Sequence, residues 1–133
     1  MLHRIFFSLM QLILLFFSTV TFANQITCPS VNDIKNHNFN YWLPLYKEGE
    51  ELASSHDVDQ FRAHISEFVV AKWDKIYLEN GHCFYKGDDP ILEKIVFAQD
   101  AWRPVTNSHW TWINANALAI CNSTNVEECG FIT

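Results

Sequence analysis

The feature that most constrains the fold of this chain is a set of four cysteines that follows an apolar N-terminal segment. The cysteines are Cys28, Cys83, Cys121 and Cys129. Residues 1–23 carry a charge at Arg4, continue as an apolar run over residues 5–20 and end in Thr21-Phe22-Ala23. This order is typical of a cleavable secretory signal peptide. We therefore expect residues 24–133 to fold in an oxidising compartment, where cysteines pair as disulfides.

Two other interpretations of the N-terminal segment are weaker. A retained signal anchor would keep the apolar run in the membrane, but Ser8, Gln11 and Ser18 make the run more polar than a stable span. A lipoprotein is weaker again, because Gln25-Ile26-Thr27 before Cys28 lacks the leucine and small residues that precede a lipidated cysteine. We expect a secreted or periplasmic protein with no stable membrane span after signal cleavage.

The charge of the chain bears on its partners. Loss of Arg4 with the signal leaves 8 basic against 15 acidic residues, so the formal net charge moves from -6 to -7. No run of Lys or Arg is present, and such a run is what phosphate contacts require. We therefore expect no nucleic-acid partner.

The first half of residues 24–133 predicts a short helix, an extended segment and a loop. Val31 and Ile34 lie one turn apart within residues 28–35, which favours a short helix. Residues 39–46 are rich in aromatics, and Pro44 restricts them to an edge strand or extended segment. Residues 47–59 are polar and acidic, as is typical of a surface loop.

Residues 58–68 fit two periods at once. Val58, Phe61 and Ile65 follow a helical stripe, whereas the apolar positions from 61 to 65 also alternate with polar neighbours. We favour a strand here and leave a helix as the alternative.

The middle of the chain predicts an antiparallel meander. Residues 68–73 and 75–78 are rich in β-branched and aromatic residues, which favour strands. Asn80-Gly81 predicts a hairpin turn that leads into a strand over residues 82–86. Residues 91–99 predict a further strand.

These patterns predict one mainly β domain over residues 24–133. We expect an antiparallel β-sandwich or barrel-like sheet with a short N-terminal helix and two disulfides. Residues 115–121 fit a helical turn or a buried strand equally well. Of the three possible connectivities we favour Cys28–Cys83, which ties the N-terminal segment to the central hairpin, and Cys121–Cys129, which closes the C-terminal loop.

Residue spacing favours neither metal binding nor catalysis. The histidines after residue 23 show no i, i+4 spacing, and the chain has no G-x-S-x-G turn and no Cys-x-x-Cys pair. Asp88-Asp89 and Glu127-Glu128 are neighbouring carboxylates in polar turns, where solvent keeps both members ionised. We expect no enzyme activity, no cofactor and no metal.

Tryptophans are the candidate ligand contacts. Trp110 and Trp112 are separated by one residue, so on a strand they share a face, and Trp102 and Trp42 are candidates to join them. Exposed aromatic side chains stack on sugar rings or anchor protein partners. The alternative is that these rings fill the core of a small domain.

Several short motifs occur in a fixed order along the chain. They are Cys28-Pro29-Ser30-Val31, Cys83-Phe84-Tyr85, Cys121-Asn122-Ser123 and Glu128-Cys129-Gly130-Phe131. In these motifs the chain resembles a family of short exported bacterial proteins, domain of unknown function 3757. The resemblance implies a periplasmic or secreted bacterial protein with a β-rich fold, and it implies no catalytic residues.

We expect this protein to be a binding module for an unknown protein or glycan, with Trp102, Trp110 and Trp112 as contact residues. The alternative is a secreted inhibitor of a host or competitor enzyme, such as a lysozyme or protease. That inhibitor would present residues 122–128, whose Glu127 and Glu128 suit a basic enzyme. A small hydrolase ranks last, because the sequence offers no evident nucleophile or metal site.

Overall fold

A computed structural model describes residues 24–133 of the chain. The predicted signal peptide, residues 1–23, lies outside the described residues. The described residues form two α-helices, two 3-10 helices and nine strands. The helices are α1 (Val31–Lys35) and α2 (Ser55–His64), and the 3-10 helices are Pro90–Glu93 and Val126–Glu128. The strands are β1 (Gln25–Ile26), β2 (Leu43–Tyr46), β3 (Ile65–Asp74), β4 (Gly81–Gly87), β5 (Ile95–Gln99), β6 (Arg103–Pro104), β7 (Trp110–Ile113), β8 (Leu118–Cys121) and β9 (Phe131–Ile132).

Two antiparallel sheets organise these strands, which confirms the predicted mainly β fold. The larger sheet has the order β2-β5-β4-β3-β8-β7, and the smaller one has the order β1-β9-β6. Pro44 lies on β2 at the edge of the larger sheet, as predicted. In the smaller sheet β1 pairs with β9, and Thr133 N donates to Asn24 O at 3.0 Å, so the two ends of the described chain adjoin.

Both predicted disulfides are present. Cys28 bonds to Cys83 across 55 residues, and Cys121 bonds to Cys129 across 8 residues. All four cysteines are buried. The first bond joins the segment before α1 to the centre of β4, and the second closes the C-terminal loop.

The core lies on one face of the larger sheet, called the inner face here. Phe61 on α2 contacts the inward rings of Tyr85 and Phe97, with ring centroids 6.1 and 5.4 Å away. Phe131 on β9 contacts the rings of Trp42 and Trp110 at 5.8 and 5.1 Å. Helix α2 and the smaller sheet therefore cover the inner face.

Helix α1 confirms the predicted N-terminal helix, and its two ends are held by side chains. Ser30 Oγ accepts from Asp33 N at 3.0 Å, and Asp33 Oδ2 accepts from Ser30 N at 3.3 Å, which forms a capping box. At the other end the Arg62 guanidinium donates to the carbonyls of Ile34 and Lys35 at 2.9 and 2.7 Å. These bonds satisfy backbone groups that the short helix leaves without partners.

The preferred strand over residues 58–68 is wrong for its first part, where α2 forms. The predicted loop over 47–59 correspondingly ends at Ser54, whose side chain accepts from Asp57 N at 3.2 Å and caps the helix. Val58 and Phe61 then face the core one turn apart. The helix stops at His64, and β3 begins at Ile65. The N-cap and the burial of one helical stripe override the local alternation.

The predicted strand over 75–78 and the Asn80-Gly81 hairpin turn are also wrong. Residues 75–79 are turns and bends, and β3 pairs directly with β4. Asn80 instead fixes the loop through two hydrogen bonds. Its Oδ1 accepts from Ala101 N at 2.8 Å, and its carbonyl accepts from Asp74 N at 2.9 Å. A longer loop results.

Two further segments differ in extent from the sequence interpretation. The strand predicted over 91–99 begins only at Ile95, because the preceding residues form a 3-10 helix whose N-cap Asp89 accepts from Ile91 N at 2.9 Å. Of residues 115–121, Leu118–Cys121 form strand β8, and the turn before this strand has positive φ at Asn114, Ala115 and Asn116.

Candidate functional site

The outer face of the larger sheet carries a groove. Strand alternation sends Cys83 and Tyr85 of β4 into the core and leaves His82 and Phe84 on the outer face. The pairing register places Lys72 of β3 beside His82. The space above these side chains measures about 240 Å³, and we call it the outer groove. It is lined by Leu45, Tyr46, Lys47, Glu50, Lys72, Asp74, Tyr77, Glu79, His82, Phe84, Val96 and Leu118.

Part of the outer groove is apolar. Leu45, Val96 and Ala98 are buried and form a cluster separate from the main core, and Phe84 packs against it. Their strands are neighbours in the order β2-β5-β4, and Leu45 pairs with Val96. The sheet therefore presents an apolar surface on its outer face as well as on its inner one.

Two lysines converge on this apolar surface. The ammonium groups of Lys47 and Lys72 lie 5.2 and 5.0 Å from the centroid of the Phe84 ring, which is cation–π distance. Within residues 24–133 no carboxylate oxygen lies within 4.0 Å of either ammonium. Burial lowers the pKa of Lys47, and the neighbouring charge of Lys72 lowers it further, while Glu93 acts in the opposite direction.

His82 contributes a neutral ring to the outer groove. Burial lowers the pKa of His82 below its usual value, against the opposing charges of Asp74 and Glu79. The ring of Tyr77 meets it edge-on, with centroids 5.4 Å apart. The uncharged imidazole therefore extends the aromatic surface next to Phe84.

The structure separates the three tryptophans named as ligand contacts. Trp110 is 7% exposed, and its Nε1 donates to Gly130 O at 3.1 Å, so its ring belongs to the core. Trp112 is 44% exposed and lies edge-on to the buried Trp73 at 5.7 Å. Trp102 is 70% exposed, with the Arg103 guanidinium 5.0 Å from its ring. Trp42, the fourth candidate, is buried as well.

Trp102 borders a second, wider cleft of about 590 Å³. The cleft is lined by Trp73, Lys75, Asn80, Asp100, Ala101, Trp102, Asn116 and Thr133. Its polar lining residues are Lys75, Asn80, Asp100, Asn116 and Thr133, and Trp73 Nε1 donates to Ala101 O at 2.9 Å. Trp102 is thus an exposed contact candidate at the edge of this cleft.

The two acidic residues of the C-terminal loop differ in their surroundings. The carboxylate of Glu128 contacts Nε2 of His109, and the Glu128 carbonyl accepts from Asn107 Nδ2 at 3.0 Å. Glu127 is exposed and makes no ion pair with any other residue between 24 and 133. Glu127 is therefore the loop carboxylate that is open to a partner.

The fold and groove define a small disulfide-bonded antiparallel β protein with an open pocket on one sheet face. No helix in the described residues is long and apolar enough to cross a membrane, and no cluster of three potential metal ligands occurs there. Comparisons with protein-family models, curated proteins and solved structures find no match to this chain.

Sequence reasoning missed Lys47, Lys72 and Phe84. A signal was present in the alternation of β4, where Phe84 stands between Cys83 and Tyr85 and must face away from them. The same alternation places Lys72 on the other face of its strand from its neighbours Ala71 and Trp73. What the sequence does not contain is the strand order that brings these positions beside Lys47.

Proposed function

We propose that this protein is a non-enzymatic extracytoplasmic binding module that holds a protein partner in the outer groove. The observation that carries the proposal is the outer groove itself, a concavity in which the half-buried Phe84 lies beside the buried Leu45 and Val96. A pocket with apolar walls and a few charged side chains is typical of binding sites. The two buried disulfides support a location outside the cytoplasm.

The side chains of this face favour a protein over a glycan. Leu43 and Ile113 continue the outer face beyond the groove, since they pair with Ala98 and Leu118, and they are 41% and 38% exposed. Aliphatic side chains pack against apolar protein surface, whereas sugar binding relies on open aromatic rings with polar neighbours. Three of the five tryptophans, Trp42, Trp73 and Trp110, are buried, which weakens the glycan alternative.

Site-specific photo-crosslinking tests the proposal. A benzoylphenylalanine placed at Tyr77, inside the outer groove, is expected to form an adduct with one protein in envelope extract of the producing bacterium. The same group at Tyr41, which is 84% exposed and lies outside the groove, is the matched control and should give none.

A groove variant completes the experiment. Phe84→Gln should abolish the Tyr77 adduct because it removes the apolar contact, while Trp102→Gln should leave it unchanged. Equal adducts from both crosslinker positions, or an adduct that survives Phe84→Gln and disappears in Trp102→Gln, would contradict the proposal. The near-ultraviolet circular dichroism of each variant checks that its fold is intact.

A second candidate function is the secreted inhibitor of a lysozyme or protease. The observation that favours it is the exposed Glu127 on a loop closed by Cys121–Cys129, because a preordered loop binds with less loss of entropy. In that case Glu127→Lys should release the captured protein and Phe84→Gln should retain it. The two candidates therefore predict opposite responses to the same pair of variants.

A further inference from the structure

We propose that the outer groove recognises a carboxylate next to an apolar side chain of the partner protein, with Lys47 and Lys72 as the anion-binding residues and Phe84 beneath them. This inference rests on the proposed function, because it places the partner on the same sheet face. It adds the chemistry by which the partner is selected.

The first support is the convergence of two like charges. The ammonium groups of Lys47 and Lys72 approach one phenyl ring to within 5.2 and 5.0 Å of its centroid. Two cations so placed repel each other, and the lowered pKa of Lys47 reflects burial together with the charge of Lys72. A bound anion would relieve this repulsion.

The second support is that neither ammonium forms an ion pair within residues 24–133, although carboxylates are plentiful there. Acidic residues outnumber basic ones by 15 to 9, and other cations use them: Lys86 meets Glu67 at 3.0 Å and Arg62 meets Asp59 at 3.2 Å. Among residues 24–133 no carboxylate reaches within 4.0 Å of the Lys47 or Lys72 ammonium. A ligand carboxylate would supply the ion-pair partner that both ammonium groups lack.

The third support is the apolar surface beside the cations. Leu45 and Val96 are buried next to Phe84, so a ligand that pairs with the lysines also meets aliphatic side chains. Glu50, Asp74 and Glu79 line the same groove, and their charges disfavour a polyanion such as a nucleic acid, so we expect a ligand with a single carboxylate held at the two lysines. The volume of about 240 Å³ lies below the usual range for drug-sized ligands and suits a side chain with one carboxylate.

Two matched probes test this chemistry without knowledge of the partner. N-acetyl-leucine carries a carboxylate next to an apolar side chain, and N-acetyl-leucinamide differs only in having a neutral amide. We expect N-acetyl-leucine at millimolar concentration to shift the backbone amide signals of Lys72, His82 and Phe84 in the nitrogen-15 NMR spectrum of the oxidised protein. The amide should bind about tenfold more weakly.

Lysine variants identify the charges responsible. Lys47→Met combined with Lys72→Met keeps the aliphatic stems, removes both charges and should abolish the preference for the carboxylate. Lys86→Met is the matched control, because it removes a lysine charge from β4 that is already paired with Glu67. The preference for the carboxylate probe should persist in this variant. A dispersed NMR spectrum shows that each variant remains folded.

Three results would overturn the inference. They are equal binding of the two probes, an unchanged carboxylate preference in the double lysine variant, and no binding of N-acetyl-leucine at all. Each of these leaves the Tyr77 crosslink intact, since the apolar contact does not depend on the lysines. If the protein that carries the crosslinker at Tyr77 and no other change formed no adduct, the proposed function itself would be rejected.

Discussion

Tyr85 shows how one buried hydroxyl joins distant parts of the chain. Its phenol donates to Pro29 O at 2.5 Å, 56 residues away, and its ring contacts Phe61, Phe68 and Phe97. The disulfide between Cys28 and Cys83 joins the same two segments. Burial raises the pKa of Tyr85 well above its usual range, and the charge of Asp33 adds to the effect. The neutral phenol is therefore part of the folded structure.

Tyr85→Phe should lower the free energy of unfolding by about 1–3 kcal/mol near neutral pH, because the Pro29 carbonyl loses its buried donor. The folded-state pKa is raised, so the contribution of the phenol is complete below the unfolded pKa of about 10 and is lost as the pH rises beyond it. Urea unfolding of both proteins on either side of about pH 10 should show the stability difference narrowing. A difference that stays constant would contradict this.

His82 should make stability sensitive to acid. Burial lowers its folded-state pKa, so its contribution is complete above the unfolded value of about 6.5 and is lost as the pH falls through the folded value. Thermal unfolding between about pH 8 and pH 5 should therefore show a smaller loss of stability in His82→Gln than in the unaltered protein. His56→Gln, at an exposed position, is the control and should follow the unaltered protein.

At the scale of elements, the junction of α2, β3 and β4 depends on one close approach. A Cβ atom at Gly87 would lie 2.0 Å from the carbonyl oxygen of His64 and 2.9 Å from its carbonyl carbon. Helix α2 ends at His64, and Gly87 is the last residue of β4. Backbone meets backbone at this point, so no side-chain rotation can make room for a larger residue.

Gly87→Ala should therefore reduce the free energy of unfolding by at least about 2 kcal/mol. Gly49→Ala is the control, because Gly49 has a positive φ of 83° but open space around it, and its replacement should cost only about 1 kcal/mol. Urea denaturation of both variants measures the two changes. Equal losses would show that the backbones can separate at low cost.

At the scale of the whole molecule, the two disulfides close loops of very different length. The chain-entropy estimate assigns about 4 kcal/mol to the 55-residue separation of Cys28 and Cys83 and about 2.5 kcal/mol to the 8-residue separation of Cys121 and Cys129. Small domains have limited apolar area, so either amount is a large share of their stability.

Replacing both cysteines of one disulfide at a time tests which disulfide stabilises the protein more. Cys28→Ala with Cys83→Ala should destabilise the protein more than Cys121→Ala with Cys129→Ala, by about 1.5 kcal/mol at equilibrium in urea. Both double variants leave buried alanines, so the lost side-chain volume is matched. The reverse order would mean that the C-terminal loop is held mainly by its disulfide and the N-terminal segment by other contacts.

Local pattern was sufficient for much of the fold. The short helix at Val31 and Ile34 and the edge position of Pro44 follow from residue type and spacing, whereas the cysteines alone left three connectivities, of which the favoured one is present. Helix α2 was missed because Phe61 and Ile65 fit two periods, and the N-cap at Ser54 decided between them. The tight turn predicted at Asn80-Gly81 is wrong, although β3 and β4 do pair, because the Asn80 side chain bonds to Ala101, a contact that a local pattern does not contain.

The outer groove could not be predicted from local sequence patterns, for a similar reason. Lys47 and Lys72 lie on either side of α2 in the sequence, and Phe84 lies further along the chain. They meet because β2 joins β5 rather than its neighbour β3, and β5 then joins β4. Strand alternation predicts which side chains share a face, whereas tertiary pairing decides which strands carry that face.

The adjoining ends of residues 24–133 have a mechanical consequence. Tension applied between them would first peel β1 from β9 pair by pair, because the antiparallel strands are loaded at the same end. The load would then pass through Cys28–Cys83 and bypass residues 29–82, and Cys121–Cys129 would shield residues 122–128 in the same way. In its oxidised form the protein would therefore lengthen mainly through residues 84–120, while both helices and one wall of the outer groove carry no tension.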